Sequence, residues 1–267
     1  MTASTDTRPT AADAPPKGRA AKRRLDDLLV ERELAPDRDR ARALVLARKV
    51  LVRGQVALRA AEPLPTDTTI ELKQTAPYVS RGGEKLAHAL KRAGIEVSGR
   101  RCLDVGASTG GFTDCLLQHG ADHVVSVDVA YGELASPLRD DARVTVVERT
   151  NARDLQPLEE HATLATIDVS FISLTTVLPA IIRSLAPGAD IFALVKPQFE
   201  AARDAVESGG VVRDSEEHAR VVGRVAAWAT DHGLRVRSAI RSPLLGPAGN
   251  REFFLWLRIS EAAGASA

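Results

Sequence analysis

Four titratable side chains, Lys85, Asp168, Lys196 and Glu252, stand at or beside the ends of apolar runs. Asp168 lies in Ile-Asp-Val-Ser-Phe-Ile-Ser, Lys196 in Leu-Val-Lys-Pro-Gln-Phe-Glu and Glu252 in Asn-Arg-Glu-Phe-Phe. In an open α/β sheet the ligand lies beyond the carboxyl ends of the strands, so Asp168 and Lys196, at successive strand ends, point at one cleft. An unpaired ammonium there is costly to bury, and its natural partner is a nearby carboxylate. A lysine directly after an apolar strand is unusual unless it does something there.

A second pattern shows what that cleft holds. Residues 102 to 113 read Cys-Leu-Asp-Val-Gly-Ala-Ser-Thr-Gly-Gly-Phe-Thr, an apolar run that breaks at Gly106 and resumes with helical spacing to Gly120. That is strand, glycine turn and helix, with Gly106 and Gly110 letting backbone approach a ligand closely. The next apolar run ends in Asp128, where a doubly wound sheet places an acid to accept both hydroxyls of a ribose. The turn lacks the Gly-x-Gly-x-x-Gly spacing of a pyrophosphate cradle, and no Walker-type Gly-Lys-Ser/Thr occurs. A nucleoside fits better than a dinucleotide, and S-adenosyl-L-methionine fits best.

The elements that must position these groups follow from the rest of the chain. Its 267 residues allow one large domain or two, and 36 basic against 35 acidic residues require any nucleic-acid partner to be met by a local patch. Cys102 and Cys115 suit small core positions in a reduced compartment, with neither a disulfide framework nor a metal site. No apolar run approaches the roughly 20 residues of a membrane span, and the first residues do not resemble a secretory signal. A cytoplasmic, monomeric protein without a bound metal is expected. Residues 1 to 21 should form a disordered tail, in which Lys17 and Arg19 extend a basic run through Arg24.

From Arg24, Leu25, Leu28 and Leu29 line one helical face, Ala35-Pro36-Asp37 ends that helix and caps another, and Ala41, Leu44, Val45 and Arg48 repeat at three and four. A hairpin turning at Arg53-Gly54 and a strand over 68–72 complete a unit of two helices and a small sheet. Residues 75–83, with Pro77 and the Gly82-Gly83 pair, read as a linker, and Lys85 begins the next helix. Beyond it, strands near 101–105, 123–128, 143–147, 163–168, 190–195, 234–240 and 252–259 alternate with helices. The pattern predicts a seven-stranded, Rossmann-like α/β sheet over residues 84–260, its last two strands an antiparallel pair at one edge, and a flexible stretch over 261–267.

The order of parts over residues 22–74, opening Arg-Leu-Asp and continuing Asp-Arg-x-x-Ala-Arg, resembles the small α+β RNA-binding domain named after ribosomal protein S-four. Residues 22–73 carry 12 basic against 9 acidic residues. The resemblance implies phosphate contact with a structured RNA through Arg38, Arg40, Arg42, Arg48 and Lys49, with Arg24 at their approach. Arg48-Lys49 stands where that family usually has a Gly, so a strained or reshaped turn is expected.

Over residues 24 to 259 the chain resembles the TlyA family, known both as hemolysins and as ribosomal RNA 2'-O-methyltransferases, whose catalytic domain is similar to the FtsJ/RrmJ methyltransferases. The motifs carrying this are Tyr-Val-Ser-Arg-Gly-Gly-x-Lys-Leu at 78–86, Asp-Val-Gly-Ala-Ser-Thr-Gly-Gly-Phe-Thr-Asp at 104–114, Glu-Arg-Thr-Asn-Ala-Arg at 148–153, Asp-Val-Ser-Phe-Ile-Ser-Leu at 168–174, Lys-Pro-Gln-Phe-Glu at 196–200, Gly-Gly-Val-Val-Arg-Asp at 209–214 and Gly-Asn-Arg-Glu-Phe at 249–253. Ala130 and Ser136 depart from the family pattern, which carries a Gly and an aromatic there.

The family's Lys-Asp-Lys-Glu set, carried over by motif, falls on Lys85, Asp168, Lys196 and Glu252. The resemblance implies a class I methyltransferase fold using S-adenosyl-L-methionine, with ribosomal RNA or ribosomal subunits as partner. It implies Gly106, Ala107, Ser108, Gly110 and Phe112 along the methionine and ribose, Asp128 on the ribose hydroxyls and Asn151 near the adenine, while Asp104 braces the turn. Lys196 is assigned an orienting and electrostatic role, with proton loss late or to solvent. Two rivals are a small-molecule O-methyltransferase, against which the basic N-terminal module argues, and a membrane-acting hemolysin, for which the sequence supplies no signal or spanning segment.

Overall fold

The computed structural model describes residues 21–73 and 76–261, and the chain divides into two compact units at residue 75. The tail expected over 1–21 lies outside the described residues apart from Ala21, as do residue 74 of the expected 22–74 unit, residue 75 of the expected linker and the terminal stretch beyond Glu261.

In the first unit, strand β1 (Lys22–Arg24) runs straight into helix α1 (Leu25–Glu31), and Asp37 caps α2 (Arg38–Leu46) by accepting from the Arg40 N–H. Strands β2 (Val50–Val52) and β3 (Gln55–Val56) form the expected hairpin, with Arg53 and Gly54 both left-handed at φ 52° and 78°. That turn matches the twist of paired strands. Strand β4 (Pro63–Pro65) pairs with β1, and β5 (Ile70–Leu72) pairs with β2.

The unit therefore holds two small sheets where one was expected. Neither Lys-Arg-Arg nor Pro-Leu-Pro offers apolar alternation, so their pairing, made by backbone alone, leaves no side-chain signal. Leu25, Leu28, Leu29, Ala41, Val45, Val50, Leu64 and Ile70 form the core between them.

The turn after α2 takes the conformation that a glycine would. Arg48 sits at φ 56°, its N–H bonded to Val45 O and that of Lys49 to Leu44 O, each at 2.9 Å. Those two bonds close a Schellman motif, and a side chain at its left-handed position costs about 1–2 kcal/mol.

In the second unit, α3 (Arg81–Ala93) is capped by Ser80 and ends at the left-handed Gly94. It begins four residues before Lys85, so residues 81–83 belong to the helix and not to a linker. Gly82 and Gly83 serve there by being small. A Cβ on Gly83 would lie 2.2 Å from the Tyr78 ring, and one on Gly111 would lie 2.1 Å from Ser80 Oγ.

Strand β6 (Arg101–Val105), α4 (Gly111–Gln118), β7 (His123–Val127), α5 (Ser136–Arg139) and β8 (Val144–Val147) follow. Then come β9 (Ala162–Ile167), α6 (Leu174–Ile182), β10 (Leu185–Val195), α7 (Pro197–Glu200), α8 (Ser215–Asp231), β11 (Leu234–Arg241) and β12 (Phe253–Ile259). The seven strands are ordered β11-β12-β10-β9-β6-β7-β8. All neighbours are parallel except β12, which is antiparallel to both β10 and β11. The last two strands form the expected antiparallel pair at one edge, with β11 outermost. Strand β10 starts five residues earlier than expected, across an irregularity between Leu185 and Asp190.

One apolar layer, with α6 and α8, covers one face of the sheet, and α3 and α4 cover the other. Among the described residues no helix is long and apolar enough to cross a membrane.

Beneath the glycine turn, Asp104 is wholly buried and accepts from Thr113 Oγ1 at 2.7 Å and Thr166 Oγ1 at 2.9 Å. It thereby ties β6 to α4 and β9. Burial pushes its carboxyl up to about 6 against the pull of those hydroxyls. An acid raised in the folded state holds its proton there more tightly than in the unfolded chain, whose value is about 4. Its contribution to stability therefore falls as pH rises from about 4 to about 6. Urea unfolding of Asp104→Asn beside the wild type should show the stability difference moving towards the variant by about 2–3 kcal/mol across that window. A difference that does not change with pH contradicts this.

Candidate active site

Strand register brings the chemistry together. Val105 and Ile167 are partners across β6 and β9, and Ile167 and Ala193 across β9 and β10. The residues leaving these strands, Gly106, Asp168 and Lys196, consequently emerge at one end of the sheet. Gly106, at φ 84°, lies so close to the Asp168 backbone that a Cβ would come within 2.5 Å of its carbonyl oxygen. No residue but glycine fits there without moving one of the strands.

The turn that follows is held by a carboxylate from the next strand. Asp128 accepts from the Ser108 N–H at 2.7 Å through one oxygen and from the Ala130 N–H at 2.8 Å through the other. Ser108 sits in a left-handed conformation, φ 47°, which this bond stabilises. Each carboxylate oxygen can accept a second hydrogen bond, so Asp128 keeps capacity for two hydroxyls.

A crevice of about 530 Å³ opens beside it, lined by Gly106, Ser108, Asp128, Glu133, Asn151 and Asp168 among others. Asn151 caps the short 3-10 turn Ala152–Asp154 by accepting from the Arg153 N–H. A second hollow of about 210 Å³ shares Gly106, Ser108 and Asp168 with the first and adds Arg81, Lys85, Ala107, Phe112 and Pro247.

Two ion pairs stand at these hollows. Lys196 Nζ lies 2.7 Å from Asp168 Oδ1, and Lys85 Nζ donates to Glu252 Oε2 at 2.6 Å. The approach of Lys196 to Asp168 is a charge contact made off the hydrogen-bonding direction. Its directed bond goes to Ser170 Oγ at 2.9 Å, which leaves Asp168 Oδ1, itself buried, without a hydrogen bond. Glu252 is 1% exposed, and a Cβ on Gly246 would meet its Oε1 at 2.4 Å. The glycine lets the loop between β11 and β12 close over that carboxylate.

Of the residues singled out from sequence, Lys85 and Asp168 share one hollow, and Lys196 and Glu252 join it as their partners. Gly106, Ser108, Asp128 and Asn151 line the larger crevice, and Ala107 and Phe112 the smaller. Gly110 lines neither. Its left-handed turn, φ 95°, lies against Leu134 and Leu138, where a Cβ would collide at 2.3 Å.

Several neighbours were not anticipated. Ser170 could have been found from its place two residues after Asp168. Glu133, whose carboxylate accepts from Ser108 Oγ at 3.2 Å, carries no sequence signal. Glu200 ends the Lys-Pro-Gln-Phe-Glu motif and accepts from Ser173 Oγ at 2.8 Å and the Leu174 N–H at 2.7 Å. It ties the turn after β10 to the start of α6, and burial raises its carboxyl above the usual range. Phe171, φ 64° and 90% exposed, packs its ring 4.8 Å from that of Phe199 beside Lys196.

In the first unit the basic residues fall into two sets. Arg24 and Arg42 both bond to the buried Asp26, and Arg38 pairs with Asp27. The Arg24 guanidinium, with help from Arg42, holds the Asp26 carboxyl down at about 2. Arg40, Arg48 and Lys49 are exposed and make no ion pair among the described residues.

The comparisons with known proteins agree with this geometry. Residues 78–259 match the family model described as FtsJ-like methyltransferase. The 16S/23S rRNA (cytidine-2'-O)-methyltransferase TlyA of Mycobacterium tuberculosis is 49% identical over 243 residues, spanning 90% of this chain and 91% of that protein. A solved structure named "Putative hemolysin from Streptococcus thermophilus" superposes with a TM-score of 0.69 at 40% identity, covering 90% of both chains. On its sequence and its fold alike, the chain belongs to the FtsJ-like methyltransferase family.

Proposed function

We propose that the chain transfers a methyl group from S-adenosyl-L-methionine to a ribose 2'-hydroxyl of ribosomal RNA. The observation that carries this reading is the Lys196–Asp168 pair, 2.7 Å apart and set directly against the Gly106 turn. The activity in the name of the Mycobacterium tuberculosis relative supports the substrate.

The crevice fits the cofactor. Its floor is bare backbone at Gly106, its rim carries an acid with two spare acceptor positions, and its volume of about 530 Å³ suits a nucleoside with a short tail. Asp128 would hold the ribose hydroxyls, Asn151 the adenine end, and Gly106 to Ser108 the amino-acid end. Bound there, the cofactor supplies a sulfonium methyl that is transferred with loss of the positive charge.

The remaining work belongs to the chain. Lys196, fixed by Asp168 and Ser170, donates to the incoming 2'-oxygen and stabilises its growing negative charge. Lys85, fixed by Glu252, holds the opposite wall of the smaller hollow. The proton leaves late, to solvent at the mouth. Positioning of oxygen and methyl is the largest contribution, worth about 7–11 kcal/mol when the geometry is right.

The first unit we read as the RNA-gripping module of the S-four type. Arg40, Arg48 and Lys49 contact phosphate directly, while Arg24, Arg38 and Arg42 divide their charge between RNA and the acids that hold them.

Tritium transfer from labelled S-adenosyl-L-methionine to ribosomal RNA should fall at least a thousandfold in Lys196→Ala, while cofactor affinity by calorimetry stays within a few fold. Wild-type turnover in that variant removes the assignment. Replacing Arg40 and Lys49 together by Ala should weaken RNA association and lower the slope of log affinity against log salt by about 1.4, at about 0.7 per lost phosphate contact. An unaltered slope argues against phosphate contact at those residues.

A further inference from the structure

Helix α3 carries more than the lysine of the reacting centre. Arg81, Lys85, His88 and Arg92 recur at intervals of four, three and four, so they form one stripe along the helix. The stripe is about 16 Å long at 1.5 Å per residue, the reach of a few nucleotides. Its first two members line the smaller hollow of the active site. Its last two line a separate groove of about 510 Å³ between α3 and the edge strand β11, completed by Ser238, Arg241, Ser242 and Pro243.

The chemistry of that groove is one-sided. It offers two guanidinium groups, an imidazole and the Ser238 hydroxyl, while the Ser242 hydroxyl is bonded within its own loop to Leu244, and no carboxylate lines it. Arg92 and Arg241 are exposed, and among the described residues neither takes part in an ion pair. Arginines left without acids around a concave surface match the planar, multiply accepting oxygens of a phosphodiester. The loop from Ser242 to Asn250 connects the two hollows, since Pro243 borders the groove and Pro247 borders the active site.

We infer that the α3–β11 groove binds the sugar-phosphate backbone of the substrate RNA strand a few nucleotides from the reacting ribose. It does so with Arg92 and Arg241 on phosphate and with His88 and Ser238 as further donors. The strand enters the active site along the α3 stripe, and the methyltransferase unit thus has its own RNA contact in addition to the basic module. This rests on the proposed ribosomal RNA substrate.

The test uses the full chain and deproteinised ribosomal RNA, labelled for fluorescence anisotropy over a range of salt concentrations. Replacing Arg92 and Arg241 together by Ala should weaken association at least tenfold and lower the log–log salt slope by about 1.4, for two lost phosphate contacts. The Arg92→Lys, Arg241→Lys variant, which retains both charges, should recover most of the affinity. Cofactor binding by calorimetry reports that the fold is intact, and the two single substitutions, each expected to lower the slope by about 0.7, replace the double variant should it not fold.

Unchanged affinity and slope in a variant of a chain that binds and methylates RNA overturn the groove alone. Weakening for intact ribosomal subunits but not for bare RNA also overturns it, in favour of an acidic protein face as the occupant. A wild-type chain that neither binds nor methylates ribosomal RNA overturns the proposed function as well.

Discussion

The site depends on how closely β6 and β9 can lie where they end. Parallel strands in register deliver their outgoing residues side by side, and the backbone after Asp168 comes so near Gly106 that a single methyl group would force the strands apart. That contact sets where the Asp168 side chain starts, and the next strand in the sheet then sets Lys196 against it. Everything held at the crevice, from the carboxylate on the Ser108 N–H to the charge contact of Lys196, is built outward from this approach. Asp104 reinforces it from below, a buried acid bonded to hydroxyls of two other elements.

The two units use their charged pairs differently. In the second, Lys85 and Lys196 each have one carboxylate, and both pairs are largely shielded from solvent, so the ammonium groups are fixed in direction as well as in place. In the first, Asp26 is buried under two arginines that remain half exposed. The acid orders their inner ends and leaves part of each guanidinium facing water. The buried acid stays charged because both guanidinium groups face it. What they supply is a set of cations with a restricted range of directions.

Much of this was legible in the sequence because it is written in periodic or chemically unusual residues. A period of two or continuous apolar runs marked the seven strands, the glycine turn marked the end of the sheet where the crevice opens, and a lysine directly after an apolar strand announced a partner. What escaped shares a different property. Strands β1 and β4 are joined by backbone groups that every residue possesses, so arginine and proline there conceal them. Gly82 and Gly83 look like a break because glycine usually interrupts helices, but here it permits close packing on Tyr78. Glu133 and Glu200 gain their roles only from contacts 25 to 27 residues away, a distance over which spacing says nothing. Arg48 is the opposite case, a departure visible in the sequence whose consequence, a left-handed side-chain-bearing residue, follows from turn geometry alone.

Strand β12 lies between β10 and β11 although it is made after both, and the residue just before it, Glu252, is the partner of a lysine 167 positions earlier. Until residues 252–259 leave the exit tunnel, β11 has no strand to join it to the rest of the sheet and Lys85 lacks its counter-ion. A nascent chain thus emerges with its basic module complete and its methyl-transferring centre unassembled.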